Sequence, residues 1–141
     1  MSYLVDTNVI SESAKPRPDE AVLEWLGRNE PNLYFSTVTI GELRRGIERL
    51  PQGKRRRALQ HWLLRLCDCM KGRVLSFNVS VAHVWGQLKA RWEAQGLVVP
   101  SLDSQLAATA HRHGLTLVTR DEKHFVATGI RILNPFADRI T

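Results

Sequence analysis

The sequence predicts an α/β domain: a small, mainly parallel sheet with helices on both faces, joined by right-handed crossovers. Three observations carry the prediction. Short runs of strand formers, such as Tyr3-Leu4-Val5, Leu33-Tyr34-Phe35 and Leu115 to Thr119, alternate with amphipathic stretches at helical spacing. The helical stretches end at punctuation: Pro16 and Pro18, Pro51-Gln52-Gly53, Gly96 and Gly114. No repeat, low-complexity tract or long linker divides the 141 residues, which therefore read as one domain, 1–141.

The elements follow in order. Tyr3 to Val5 is a strand, broken by the small polar groups Asp6-Thr7-Asn8, after which Val9 to Ser13 can start a short helix. Asp19 caps a helix with an apolar face of Val22, Leu23, Trp25 and Leu26. After a turn at Asn29 to Asn32 comes the strand Leu33 to Ser36. Thr39-Ile40-Gly41-Glu42 opens a helix carrying Leu43, Ile47 and Leu50. Arg55 to Cys69 is amphipathic around Leu59, Trp62, Leu63 and Leu66. Arg73 to Phe77 is a strand, and Ser80 to Gln95 a long helix with Val81, Val84, Trp85, Leu88 and Trp92 at core spacing. Asp103 to His113 is a helix of small residues, Leu115 to Thr119 a buried strand, Asp121 to Phe125 a helical turn, and Ile130 to Leu133 a last strand.

Composition narrows the class. A hydrophobic fraction of 43% with 24% charged residues is that of an ordinary globular protein. No apolar run is long enough to span a bilayer and the N-terminus lacks the pattern of a signal peptide, so a cytoplasmic protein is expected, without a membrane partner. Cys67 and Cys69 are too close in sequence for a comfortable disulfide, and no suitably spaced His completes a zinc site. The net charge of +6 favours a polyanionic partner. Lys54 to Arg57 forms a basic block, either a solvated helix face or a surface for phosphates or an acidic partner.

Most acids lie in polar company, but Asp6, Glu42, Asp103 and Asp121 stand apart. Asp6 and Asp121 follow buried strands, whereas Glu42 and Asp103 fall in first turns of helices. In a parallel sheet, the strand carboxyl ends and the following helix N-termini share one edge. The topology thus brings all four to one rim. Each has a structural alternative: Thr39 and Glu42 have capping-box spacing, Asp6 can cap the first helix, and Asp103 and Asp121 can complement helix dipoles. Several carboxylates at one apolar rim repel unless a cation neutralises them, and an all-oxygen set suits Mg²⁺ or Mn²⁺ better than zinc or copper. Thr7 and Asn8 can add a neutral oxygen or orient Asp6. An acidic, metal-loving pit within a basic surface is what a phosphodiester hydrolase needs: basic side chains hold the backbone while a metal activates water and stabilises the leaving oxygen. No nucleophile elbow, P-loop or dinucleotide fingerprint competes with that reading.

The ordered set Leu4-Val5-Asp6-Thr7-Asn8, Thr39-x-x-Glu42-Leu43, Asp103 to Ala110, Val118-Thr119-Arg120-Asp121 and Leu133-Asn134-Pro135-Phe136 resembles the PIN-domain family. The likeness is closest to the VapC-type and FitB-like ribonuclease toxins, and it spans nearly the whole chain. It implies a three-layer α/β/α fold, a Mg²⁺- or Mn²⁺-dependent endoribonuclease, and usually a homodimer. It further implies a small antitoxin protein whose tail occupies the active site and whose other part binds operator DNA. Asp6, Glu42 and Asp103 match the family's strongest acids and Asp121 a more variable fourth. Asn8 matches the polar support of the first acid, and Thr119 the hydroxyl beside the fourth. Where many relatives carry a further acid, this chain has Asn78.

The expected reaction is in-line hydrolysis of RNA, with Asp6, Asp103 and Asp121 binding the metal. Glu42 binds it too or orients water, and Arg120 or Lys123 steadies a phosphate. The rivals are a DNA or structure-specific nuclease using the same pocket, and a non-catalytic nucleic-acid-binding module in which the acids are only caps. The Trp62, Leu63 and Leu66 face beside the basic block is the expected antitoxin surface.

Overall fold

The computed structural model describes residues 1–136; the last five positions of the expected 1–141 domain lie outside the described residues. Five parallel strands form one sheet: β1 (Tyr3–Val5), β2 (Leu33–Ser36), β3 (Val74–Leu75), β4 (Thr116–Val118) and β5 (Ile132–Leu133). Their order is β3-β2-β1-β4-β5, so the chain builds outward from β1 in one direction and then crosses to build in the other. Tyr3 lies opposite Leu33 on one side and Thr116 on the other.

Seven α-helices connect and cover the strands among the described residues: α1 (Thr7–Ile10), α2 (Glu20–Asn29), α3 (Thr37–Glu48), α4 (Lys54–Cys69), α5 (Val79–Ala94), α6 (Ser101–His113) and α7 (Glu122–Phe125). The period-2 alternation of the strands splits the core into two layers. Leu4 and Leu117 face α5 and α6, joining Leu88, Trp92, Leu106 and Phe125. Their neighbours Val5 and Val118 face the opposite way, joining Phe35 of β2 and Val9, Val22, Leu43 and Leu63 from α1 to α4. This is the three-layer α/β/α arrangement. Ala107, Ala108 and Ala110 are fully buried, and their small side chains let α6 lie close to the sheet and to α5. Trp92 is buried, its indole N–H donating to the Thr128 carbonyl at 3.2 Å, while Trp85 is half-buried and donates to Ser104 Oγ at 2.9 Å.

Asp19 caps α2 as expected, accepting from Ala21 N at 3.0 Å. The start of α3 requires a correction. The helix begins at Thr37 and its cap is Ser36, whose Oγ accepts from Val38 N at 3.0 Å. No capping box forms between Thr39 and Glu42: Thr39 is wholly buried with an unpartnered hydroxyl, and Glu42 lies in the second turn. Serine at a strand end is the stronger stop because its side chain reaches the N2 amide directly. The expected strand 73–77 shrinks to Val74–Leu75, since at the sheet edge only β2 is available to pair with it. Asn78 then caps α5, accepting from Val81 N at 3.0 Å. The basic block opens α4 but is only partly free. Half-buried Arg56 donates to Glu48 at 2.6 Å and exposed Arg55 to the Ala14 carbonyl at 3.0 Å, while Lys54 and Arg57 are also exposed. Leu63 points into the core, so of the expected partner face only Trp62 and Leu66 remain half-buried at the surface.

Candidate active site

The direction of building reverses between β1 and β4, where neighbouring strands diverge to helices on opposite faces. A crevice at the carboxyl ends of the strands follows from that geometry. Asp6 sits in it. Its backbone is still extended, with ψ 156°, and its N–H donates to the Val118 carbonyl at 2.8 Å, fixing it against the end of β4. Its side chain is 4% exposed. Oδ1 accepts from Thr7 N at 2.7 Å, so Asp6 does cap α1, and Oδ2 accepts from the Thr119 hydroxyl at 2.8 Å.

From Asp6 the network runs both ways. Thr7 Oγ1 donates to Glu42 Oε1 at 2.7 Å, tying the second turn of α3 to the tip of β1. Asn8 spans to β4: its Nδ2 donates to Asp121 Oδ2 at 3.0 Å, and its Oδ1 accepts from Arg120 N at 3.1 Å. Thr119 Oγ1 closes the ring by accepting from Asp121 N at 3.1 Å. Thr7, Asn8 and Thr119 therefore hold three of the acids through defined bonds. Asp121 precedes α7 without capping it, so its carboxylate is spent on Asn8 instead. Asp103 lies in the first turn of α6, and its Oδ2 accepts from His124 Nδ1 at 2.8 Å. Arg120 is exposed on the rim, its guanidinium carbon 4.5 Å from the centroid of the Phe136 ring.

Charge links what the hydrogen bonds do not. Burial, partly offset by the bonds from Thr119 and Thr7, pushes the Asp6 carboxyl up to about 6, with Asp103 and Glu42 adding repulsion. Burial also raises Asp103; the hydrogen bond and charge of His124 pull it back, and Asp121 pushes it up. All four acids thus share one electrostatic neighbourhood. His124 and the Arg120–Phe136 stack were missed in the sequence. The available signal for His124 was its place in the turn that follows β4, on the same rim as Asp121.

Among the described residues, no three His, Cys, Asp or Glu side chains stand close enough to form a metal cage of protein ligands alone. Zinc uses such cages, but Mg²⁺ keeps several waters and takes only one or two carboxylates directly. A buried Asp6 whose protonation is favoured by its surroundings, with further acids beside it and hydroxyl and amide groups holding them, fits a hydrated, oxygen-loving cation. Its positive charge would offset both the burial and the mutual repulsion.

A second feature adjoins this pit. A mainly apolar groove of about 340 Å³ starts at Thr7 and Glu42 and continues over Leu43, Ile47, Leu59 and Trp62, with exposed Lys15 and Arg55 also lining it.

A family model described as PIN domain matches residues 3–130. The chain is 40% identical over 135 residues to the VapC ribonuclease Y4jK of Sinorhizobium fredii, covering 94% of this chain and 96% of that protein. It is 36% identical over 137 residues to the toxin FitB of Neisseria gonorrhoeae, covering 96% and 99%. The crystal structure of FitAcB from N. gonorrhoeae superposes with a TM-score of 0.90 at 36% identity, covering 95% of this chain and 98% of that one.

Proposed function

The chain belongs to the PIN-domain family, and on that premise we propose that it is a ribonuclease toxin of a toxin–antitoxin pair, cleaving RNA with the help of Mg²⁺ or Mn²⁺. The observation that carries the reading is the buried Asp6 carboxylate, coupled to Asp103 and Glu42 at the β1–β4 switch point. A non-catalytic binding module could cap α1 with an asparagine and avoid a carboxylate held where its charge is disfavoured. Acid–base and cation chemistry needs that carboxylate.

Asp6, Asp103 and Asp121 would hold the hydrated divalent ion, one or two of them directly and the rest through its waters. When bound, it would lower the pKa of the attacking water and stabilise charge on the leaving oxygen. The chain's own residues do the rest. Glu42, held by Thr7, binds the ion or orients the water; Asn8 and Thr119 fix the Asp6–Asp121 pair; Arg120 and the exposed Lys123 meet the phosphate backbone. The net charge of +6 favours association with a polyanion.

The partner reading is an antitoxin seated in the apolar groove that ends at Thr7 and Glu42, so that its end reaches the acids. The solved neighbours are toxin–antitoxin complexes, which supports such a partner. A homodimer, and operator DNA reached only through the antitoxin, complete the proposal. The proposal places the enzyme in the cytoplasm; no helix of the described residues is long and apolar enough to cross a membrane.

The test is cleavage of single-stranded RNA by the purified chain with Mg²⁺, with EDTA, and by Asp6→Asn. Cleavage that requires the cation and disappears in Asp6→Asn supports the reading. Cleavage unaffected by EDTA, or full activity in the variant, overturns it, and preference for DNA flaps over RNA would move the substrate.

A further inference from the structure

We propose that His124 is a positioning residue that holds the Asp103 carboxylate in place for the divalent cation, tying it to the turn that carries Asp121. The proposal rests on the cation-dependent reading above and adds to it a residue to which no role has been given.

The geometry has three parts. First, Asp103 stands on α6, apart in the chain from the strand-end acids, and the hydrogen bond that its side chain receives among the described residues comes from His124. Asp6 and Asp121, by contrast, are held by Thr7, Thr119 and Asn8. Second, His124 is itself fixed. Its backbone N–H donates to the Asp121 carbonyl at 3.0 Å, closing the turn, and the next residue, Phe125, is fully buried and anchors α7 in the core. Third, a carboxylate only accepts, so Nδ1 is the donating nitrogen of this pair. An aspartate at the third position of a helix can swing back toward the helix's own free N–H groups. The imidazole bond holds Oδ2 away from them and keeps the carboxylate on the rim that it shares with Asp121. Groups that hydrogen-bond a ligating carboxylate set its orientation, and their loss typically weakens metal binding by about 10–100-fold.

A purely electrostatic role predicts the opposite sign. If His124 served only as an internal cation, its removal would make the pit more negative and tighten divalent binding. The experiment is Mn²⁺ titration followed by electron paramagnetic resonance, on the full chain in mildly alkaline buffer where a free imidazole is neutral. His124→Ala is expected to bind Mn²⁺ about 10–100-fold more weakly. His124→Asn, whose amide can donate toward the same oxygen, is expected to recover most of that loss. In an Asp103→Asn background, His124→Ala is expected to change nothing further, since the two residues act as one unit. Unchanged or tighter binding in His124→Ala overturns the proposal, as does a loss that adds fully to that of Asp103→Asn or one that Asn does not relieve. Wild-type protein that binds no Mn²⁺ would instead overturn the metal site itself, and the proposal with it.

Discussion

At Asp6, stability and the proposed cation chemistry oppose each other. The folded protein raises its carboxyl from 3.8 to about 6, chiefly by burial, so the fold holds that proton more tightly than the unfolded chain does. The contribution to stability is therefore full below the unfolded value and is lost as pH rises through about 6. At neutral pH the metal-free protein carries a penalty on the order of 3 kcal/mol from this one group. Asp6→Asn is isosteric and can still accept from Thr7 N, so it removes the penalty and keeps the cap. The expected result is a variant more stable than wild type by about 1–3 kcal/mol in urea at neutral pH without divalent ions. The advantage should shrink as pH falls from about 6 towards 3.8, the interval in which the folded carboxyl is protonated and the unfolded one is not. Added Mg²⁺ should stabilise wild type and leave the variant unmoved. A wild type whose stability is flat across that pH range would contradict the assignment.

At the level of elements, the starts of α3 and α5 show how far local sequence carries. Helix existence was legible from apolar spacing, and the caps Asp6 and Asp19 from their position before it. Thr39 misled because capping-box spacing is a local pattern, whereas Ser36 already ends β2 and its hydroxyl takes the amide first. Asn78 was noted only for the acid it replaces; in the structure its carbonyl oxygen caps α5. Asn78→Ala should cost about 1 kcal/mol by urea denaturation and leave RNA cleavage intact; loss of cleavage with stability preserved would instead place Asn78 in the chemistry. The loop between β4 and α7 is held differently, by Arg120 over Phe136 and by Asn134 Nδ2, which donates to Glu122 Oε2 at 3.1 Å. Phe136→Ala frees the guanidinium at a cost of about 0.5–1 kcal/mol. It should raise KM for RNA while changing kcat little if, as proposed, Arg120 meets the substrate backbone while the acids stay in place. Partners more than a hundred residues apart, as Asn8 and Asp121 are, meet only when the chain has crossed the sheet, so no sequence window contains them.

For the whole molecule, alternation of strands and helices was enough to infer a parallel sheet covered on both faces, and with it the common rim of the four acids. Strand order was not legible, because nothing in the spacing of apolar runs says that β1 lies at the centre with β4 beside it. That placement is what sets the acid pit next to the groove over Leu43, Leu59 and Trp62, since α1, α3 and α4 share the face that Val5 and Val118 also point toward. On the proposed function, catalysis and its control by a partner would be adjacent but chemically separate: one would depend on carboxylates, the other on half-buried apolar surface. The separation can be tested at Leu59, which lines the groove and takes no part in the acid network. Leu59→Lys places a charge where an amphipathic helix would bury its apolar face. Co-purification with the co-expressed antitoxin should fall at least tenfold, and growth inhibition should no longer be relieved by it. Cleavage of RNA by the isolated variant should match wild type, because no bond that positions Asp6, Glu42, Asp103 or Asp121 passes through Leu59. A variant that keeps its antitoxin would move the docking surface elsewhere, and one that loses cleavage along with it would show that groove and pit are a single coupled unit.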